Sequence, residues 1–417
     1  MEQPHGFATK GKAELLHKAL EGTKQAGHLW QDLTSTKMRN FGLTQSSVDP
    51  CLFYLADGNH WLRIGVFVDD ILAVFNSLSL FNKFFKFYKD TEPKILCHEE
   101  GDVERFTGLE VITTKDNSSI SIRQKRYIES MFQKYCSGVH TVLWTSPVGS
   151  SREELERFMN IKGSDNSADS TLMADKDYLG VIGSLLYAAC QTRPDIQYHV
   201  SHLAQFMGNP SPAAYEAAIG IVCYLYRTRE LAITYEQPAR LPPIEYQQGS
   251  PEIEASTVQE IDGLLTFTDA SFARDQDLRS VNGFVTMYRN GAISWSSKGL
   301  KIICQSTTEA ETAGASLAAK DLIYVRSLMN QIGIPPCGPT PLFMDSAGTY
   351  GYARHPSAKQ RTKYFELWLT YIRHAHTNNA VSLHLVKSKT LCADSLTKAL
   401  PRTELLQHRN FMMNIKN

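Results

Sequence analysis

Leu264-Leu265-Thr266-Phe267-Thr268-Asp269-Ala270-Ser271 opens the last third of the chain as a short apolar strand that ends in a carboxylate. Two further strands are expected downstream, at Gly283–Tyr288 and Ala292–Ser296, separated by turn-like spacers. A long helix follows from about Thr308 to Gln331. It is preceded by Ser306 and Thr307 as cap residues and closed by Gly333, with Pro335 and Pro336 beyond. Then come a strand at Leu342–Met344, a helical run at Ala358–Ala375, a strand at Val381–Val386 and a helical run at Leu391–Ala399. Three antiparallel strands followed by alternating helix and strand predict a mixed sheet with helices on its faces.

That order of elements can gather four acids. Asp269 ends the first strand, Asp345 ends the fourth, and Asp394 is placed in the first turn of the last helix. The long helix offers Glu309 or Glu311, which stand about 200° apart around its axis, so only one can face the sheet. The Glu311 face continues through Gly314, Ala315, Ala318, Leu322 and Val325, small and apolar, whereas the Glu309 face continues through Thr312, Ala313, Ser316 and Lys320, largely polar. Glu311 is therefore the inward acid. Taken singly, an Asp at a strand end or helix start is an ordinary turn former or cap. Four such acids converging suit divalent metal, because hydrolysis of a phosphodiester needs an activated water and a stabilised leaving oxygen, and hard cations take carboxylate oxygens.

Working back from Leu264, polar and Pro-containing sequence at 236–262 and Ser/Asp/Glu/Asn-rich sequence at 149–176 read as linkers. Between them, 177–235 is mostly helical, with segments at Tyr178–Cys190, Asp195–Met207 and Pro212–Thr228. The first 148 residues mix helix, expected over Glu14–Phe41, with a strand–turn–strand pattern over Trp61–Phe75 that has Asp69 and Asp70 at its tip. Lys+Arg and Asp+Glu balance at 43 each over 417 residues, so any nucleic-acid surface must be a local patch. Candidate patches are Arg123, Lys125 and Arg126; Lys298 and Lys301; and Arg354, Lys359, Arg361 and Lys363. The 8 cysteines stand singly, which argues against a zinc module or a disulfide framework. No apolar run is long enough for a membrane span and the start lacks signal-peptide character, so the expected setting is intracellular, cytoplasmic or nuclear, with no membrane partner.

Several runs give the chain a family likeness. Thr268-Asp269-Ala270-Ser271-Phe272-Ala273, Ile293-Ser294-Trp295-Ser296-Ser297-Lys298, Ser306-Thr307-Thr308-Glu309-Ala310-Glu311, Arg361-Thr362-Lys363 and Ala393-Asp394-Ser395-Leu396-Thr397-Lys398 resemble, in order, the ribonuclease H domain of copia-type retrotransposons. Upstream, Val66-Phe67-Val68-Asp69-Asp70 is similar to the Tyr-Val-Asp-Asp signature of reverse transcriptases. Lys18-Ala19-Leu20-Glu21-Gly22-Thr23-Lys24-Gln25 is similar to the family's nucleotide-site motif, and Thr192-Arg193-Pro194-Asp195-Ile196 also matches. The chain thus resembles the C-terminal part of a copia-type Pol polyprotein.

The resemblance implies an α+β / α/β chain. A partial reverse-transcriptase palm (1–148), a linker (149–176), a helical thumb or connection (177–235) and a second linker (236–262) would precede a ribonuclease H-like mixed five-stranded sheet with flanking helices (263–417). It implies Asp269, Glu311, Asp345 and Asp394 as catalytic metal ligands for Mg²⁺, with Mn²⁺ as the alternative ion, and Asp69 and Asp70 as polymerase carboxylates. Lys24, Gln25, Arg361 and Lys363 would touch nucleic acid. The partners are an RNA–DNA hybrid or other nucleic acid and other parts of the polyprotein. The implied activity is cleavage of the hybrid's RNA strand, the alternative being a catalytically silent remnant that at most binds nucleic acid.

Departures are visible: Asp345-Ser346 stands where the family has Asp-Asn, Tyr364 where it has His, and Glu21 and Thr23 replace Tyr and Leu. The family's bridging palm Asp precedes a segment resembling Met1-Glu2-Gln3-Pro4-His5-Gly6-Phe7, so that Asp and most of the fingers are expected outside this chain. No DNA polymerase activity is expected of it alone.

Overall fold

The computed structural model describes residues 20, 22–136, 145–164, 167–240, 243–272, 279–355 and 365–416. Two compact units emerge, one of residues 1–103 with 327–334, the other of 104–326 with 335–417.

The first unit holds α1 (Ala26–Phe41), β1 (Thr44–Gln45), β2 (Leu52–Asp57), β3 (His60–Phe67), β4 (Asp70–Phe75) and α2 (Leu78–Asp90). Its strands form an antiparallel sheet in the order β1-β2-β3-β4. Alternation along β3 puts Leu62 and Ile64 inside, where they meet Phe53, Met38 of α1, and Phe81 and Phe84 of α2. The helix expected from Glu14 does not run through to Phe41. Gly22 sits in the left-handed region at φ 81°, Thr23 bonds back to Leu20, and α1 starts only at Ala26. Residues 14–19 lie outside the described residues.

The second unit opens with β5 (Arg105–Phe106), β6 (Leu109–Thr113), β7 (Ser119–Arg123) and α3 (Lys125–Cys136). It continues through α4 (Arg152–Met159), α5 (Ser167–Met173), α6 (Tyr178–Gln191), α7 (Gln197–Ala204), α8 (Pro212–Arg227) and β8 (Ile233–Glu236). β5 to β8 form a second antiparallel sheet in chain order. The stretch 149–176, expected as a linker, carries two helices. Ser151 and Glu154 form a reciprocal capping box at the head of α4, and Leu155 and Phe158 join Ile182, Leu185, Leu203 and Ile221 in one apolar core. Its polarity reflects helices with one buried face, not an absence of structure.

The chain then adds α9 (Ala255–Glu260), β9 (Leu265–Ser271), β10 (Val281–Tyr288), β11 (Gly291–Gly299), α10 (Thr307–Gln331), β12 (Thr340–Met344), α11 (Ala347–Arg354), α12 (Glu366–Thr377), β13 (Val381–Leu385) and α13 (Arg402–Met413). Sheet order is β11-β10-β9-β12-β13, with β9, β10 and β11 antiparallel and β9, β12 and β13 parallel. This is the expected mixed five-stranded sheet. Phe267, Val285 and Phe343 pack under Leu391, Leu396 and Met412, while Asp321 of α10 accepts hydrogen bonds from Thr286 and Ser294 of β10 and β11. Ile253, Val258 and Ile261, within the second expected linker, belong to the same core.

Two expectations are corrected. Leu391–Ala399 is not an α-helix: Cys392–Leu396 forms a short 3₁₀ helix, and α13 begins at Arg402 after Pro401. Proline disfavours helical backbone at the residue before it and cannot sit in a helix interior, so the two helical stretches cannot merge. The run Ala358–Ala375 becomes α12 from Glu366, residues 356–364 lying outside the described residues, and α11 was not anticipated. Ser346 caps α11 by accepting from the Thr349 amide, but Gly348 and Gly351 weaken its helical signature.

Candidate functional site

Asp269 is carried near the end of β9, opposite Gly283 of β10, and only 4% of it is exposed. Glu311 comes from the second turn of α10, and Asp345 directly follows β12. Ligand oxygens of these three acids lie within 4.8 Å of one another. The choice between Glu309 and Glu311 is settled by capping. Ser306 accepts from the Glu309 amide at 3.2 Å, and the Glu309 carboxylate turns back to accept from the Gln305 amide at 2.7 Å. Glu309 thus ties down the helix start while Glu311 joins the cluster.

Asp394 lies outside that tight set but is coupled to it. Its Oδ2 is ion-paired with Lys398 Nζ at 2.7 Å, and its Oδ1 is buried without a partner among the described residues. Thr397, on the same turn, donates to Asp269 Oδ2, and Ser388 donates to Asp345 Oδ2 at 2.5 Å. Sequence reading passed over Ser388. Thr397 and Lys398 were present in the quoted closing motif, which gave no sign of their contacts.

Close backbone approach makes the convergence possible. A Cβ on Gly314 would stand 3.4 Å from the Asp269 carbonyl, so α10 lies almost against β9. A Cβ on Gly283 would stand 2.7 Å from Leu396 Cβ, 2.8 Å from Thr397 Cγ2 and 3.1 Å from the Ala393 carbonyl. Gly283→Ala should therefore push the Asp394 turn off the sheet and cost about 1–3 kcal/mol of stability, as overpacking does. A thermal melt unchanged from wild type would refute the tight approach.

Electrostatics mark the cluster as strained without a cation. Burial, then the charges of Asp269, Asp345 and Asp394, push the Glu311 carboxyl up to about 10. Burial and then Asp394 push Asp269 up to about 7. Burial also raises Asp394, against the pull of Lys398. In the metal-free chain these groups hold protons that the unfolded chain would release. Their stabilising contribution is whole below about pH 4 and is lost as pH rises through about 7 for Asp269 and about 10 for Glu311. A divalent cation binds the deprotonated form. The rise in melting temperature on adding Mg²⁺ should therefore be larger at about pH 8.5 than at about pH 6, with protons released on titration. Equal increments at both pH values would contradict this.

In the first unit, Phe67 pairs with Asp70, leaving Val68 and Asp69 as a two-residue turn with both acids exposed. Val68 adopts φ 54°, a left-handed conformation costly for a β-branched residue, and its carbonyl accepts from Trp30 Nε1 at 2.7 Å. No third acidic, His or Cys ligand joins Asp69 and Asp70 among the described residues. Lys24 and Gln25 are exposed just ahead of α1. Arg361 and Lys363 lie outside the described residues. The Arg123 and Lys125 patch is largely neutralised, Arg123 by Glu110 and Glu230 and Lys125 by Glu230. No helix among the described residues is long and apolar enough to cross a membrane.

Residues 1–142 match the family described as reverse transcriptase (RNA-dependent DNA polymerase). Over 412 residues the chain is 26% identical to the retrovirus-related Pol polyprotein from transposon TNT 1-94 of Nicotiana tabacum, covering 97% of this chain and 28% of that protein. It is 28% identical over 407 residues to the corresponding polyprotein from transposon RE1 of Arabidopsis thaliana, covering 97% of this chain and 25% of that one. The putative transposon Ty5-1 protein of Saccharomyces cerevisiae is 27% identical over 323 residues, 76% of this chain and 92% of its own length. The chain spans about a quarter of the length of the two plant polyproteins.

Proposed function

Because this chain belongs with the Pol polyproteins of copia-type retrotransposons, we propose that residues 263–417 are a ribonuclease H that hydrolyses the RNA strand of RNA–DNA hybrids. Residues 1–148 are read as part of a reverse-transcriptase palm and 177–235 as its thumb or connection. The single observation that carries the nuclease reading is the meeting of Asp269, Glu311 and Asp345 from β9, α10 and the end of β12 within 4.8 Å.

The donor set fits a hard divalent cation. It is all carboxylate, it is too crowded to remain fully ionised by itself, and among the described residues it leaves a buried Asp394 oxygen without a partner. Asp269, Glu311, Asp345 and Asp394 would hold Mg²⁺, or Mn²⁺ in its place. When bound, the metal supplies Lewis acidity at the phosphate and a water acidic enough to attack. The protein's own part is positioning. Thr397 fixes one Asp269 oxygen, Ser388 fixes one Asp345 oxygen, and Lys398 restrains Asp394. A hybrid's 2′-hydroxyl distinguishes the strand to be cut. Arg361 and Lys363 are read as phosphate contacts. Asp69 and Asp70, with Lys24 and Gln25, are read as the remaining elements of a polymerase site. Other segments of the polyprotein are the expected protein partners.

The test is cleavage of a labelled RNA–DNA hybrid by the purified full chain, with double-stranded DNA as control, first in Mg²⁺ and then in EDTA. Hybrid-specific, EDTA-sensitive cutting of the RNA strand is expected. Cutting no greater than that of an Asp269→Asn control would leave the silent remnant as the reading.

A further inference from the structure

The four-stranded sheet of the first unit ends on β4, which among the described residues pairs with a strand on one side only, β3. We propose that this edge pairs with the same edge of a second copy of the chain, antiparallel and centred on Ala73.

The phase of the ladder fixes which groups point outward. The Asn76 amide donates to the Trp61 carbonyl of β3, which extends the β3–β4 register by one pair. Hydrogen-bonded pairs alternate along an antiparallel ladder, so Asp70, Leu72 and Val74 bond β3, whereas Ile71, Ala73 and Phe75 direct their N–H and C=O groups away from it. Among the described residues those outward groups have no backbone partner.

Folded chains ordinarily blunt such an edge with Pro, Lys, a bulge or a very short strand. β4 uses none of these. It reads Asp-Ile-Leu-Ala-Val-Phe and runs in unbroken register with β3. The opposite edge of the sheet, β1, is only 2 residues long. One open edge per chain closes as a two-fold pair and does not propagate.

A second copy is the occupant because β4 complements itself. Pairing about Ala73 sets Ile71 against Phe75 of the second copy, Ala73 against Ala73 and Phe75 against Ile71, each pair exchanging both N–H···O bonds. Ile71, Ala73 and Phe75 already pack on the edge of the Phe53–Leu62–Phe81 core, which the second copy would extend. On the other face Leu72 meets Val74, which is 49% exposed in the single chain. Apolar cross-strand pairs of this kind are favourable. Asp70 stands opposite the neutral Asn76, so no like charges meet.

The pairing involves neither the carboxylate cluster nor nucleic acid, so it stands or falls apart from the nuclease reading. Light scattering on the full chain over a concentration series should show a mass rising to twice that of one chain. Ala73→Pro should weaken the dimer about tenfold or more, because both bonds at the axis are lost. It keeps the β3 ladder, since position 73 donates outward. Should a thermal melt show that this variant has not folded, Val74→Lys, at an exposed position, decides in its place. With oxidised glutathione, Ala73→Cys should give a dimer joined through the introduced cysteine, identified by peptide mapping. Its facing Cα atoms would stand about 5.5 Å apart, within disulfide reach. Leu72→Cys, offset from its counterpart, should not be joined. A wild-type monomer would leave the edge to a strand of another protein and overturn the proposal. A dimer untouched by Ala73→Pro and Val74→Lys, an assembly larger than two, or joining of Leu72→Cys as readily as Ala73→Cys would do the same.

Discussion

Asp269→Asn is expected to lower hybrid cleavage by two to three orders of magnitude while raising the melting temperature of the metal-free chain above neutral pH. The two effects have one cause. Asp269 is nearly fully buried and stands within reach of Glu311 and Asp345, so its negative charge is useful only when a cation neutralises the cluster. Asparagine keeps the shape and can still accept from Thr397, but it removes a charged ligand oxygen. Losing one preorganised charge contact at a reacting centre costs roughly 10²–10³ in rate. Stability moves the opposite way. Since burial and Asp394 push the Asp269 carboxyl up to about 7, the wild-type group stabilises the metal-free fold below the unfolded carboxyl value and ceases to do so as pH rises through 7. The neutral asparagine has no such loss, so the variant's advantage is absent near pH 4 and complete above about pH 7. Parallel cleavage assays and melts across pH read both effects. A variant that cuts normally, or one that melts lower at pH 8 without metal, would contradict the arrangement.

Much of this site was legible because strand and helix order constrains where acids go. An Asp at the end of each of two adjacent parallel strands must emerge at the same sheet edge, as Asp269 and Asp345 do. Helical rotation separated Glu311 from Glu309, and the Ser306-Thr307-Thr308-Glu309 spacing explains why Glu309 is used elsewhere. Asp394 was harder, because a 3₁₀ turn has no strong periodicity and Leu391–Ala399 carries enough apolar residues to pass for α-helix. The contact of Thr397 with Asp269 depends on the close approach at Gly283, and that of Ser388 with Asp345 joins segments 43 residues apart, neither of which a local pattern encodes. In 149–176 the opposite happened. The local signal Ser151-x-x-Glu154 was present, but high polarity outweighed it, although Leu155 and Phe158 are enough to dock the helix. Val68 was legible only as a hairpin tip. Its left-handed backbone is imposed by the two-residue turn and the bond from Trp30.

Arg193→Ala is expected to destabilise the second unit by about 3–5 kcal/mol, the cost of leaving one member of a buried ion pair alone. Arg193 and Asp195, joining α6 to α7, are both fully buried. Their side chains meet through two hydrogen bonds of 2.9 and 2.7 Å. Arg193 also donates to the Thr228 hydroxyl at 2.8 Å beyond α8. The Tyr224 hydroxyl donates to Asp195 at 2.7 Å, and Arg409 of α13 reaches Tyr224 at 3.3 Å. This one network therefore pins α6, α7, α8 and α13 together. Burial alone would push the Asp195 carboxyl up, but Arg193 overrides it and holds the group below its ordinary value. Without Arg193 the sign reverses. Asp195 must then take up a proton or remain an uncompensated buried charge, so the deficit of Arg193→Ala should shrink toward acid pH and grow as pH rises through the carboxylate range. A simple cavity would show no such pH dependence. Removing Asp195 as well should restore part of the loss, because the stranded charge goes with it. Denaturant melts of both single variants and the double variant at two pH values decide the matter. A pH-independent deficit, or a double variant no more stable than Arg193→Ala, would mean that Arg193 acts by filling space and not by neutralising Asp195.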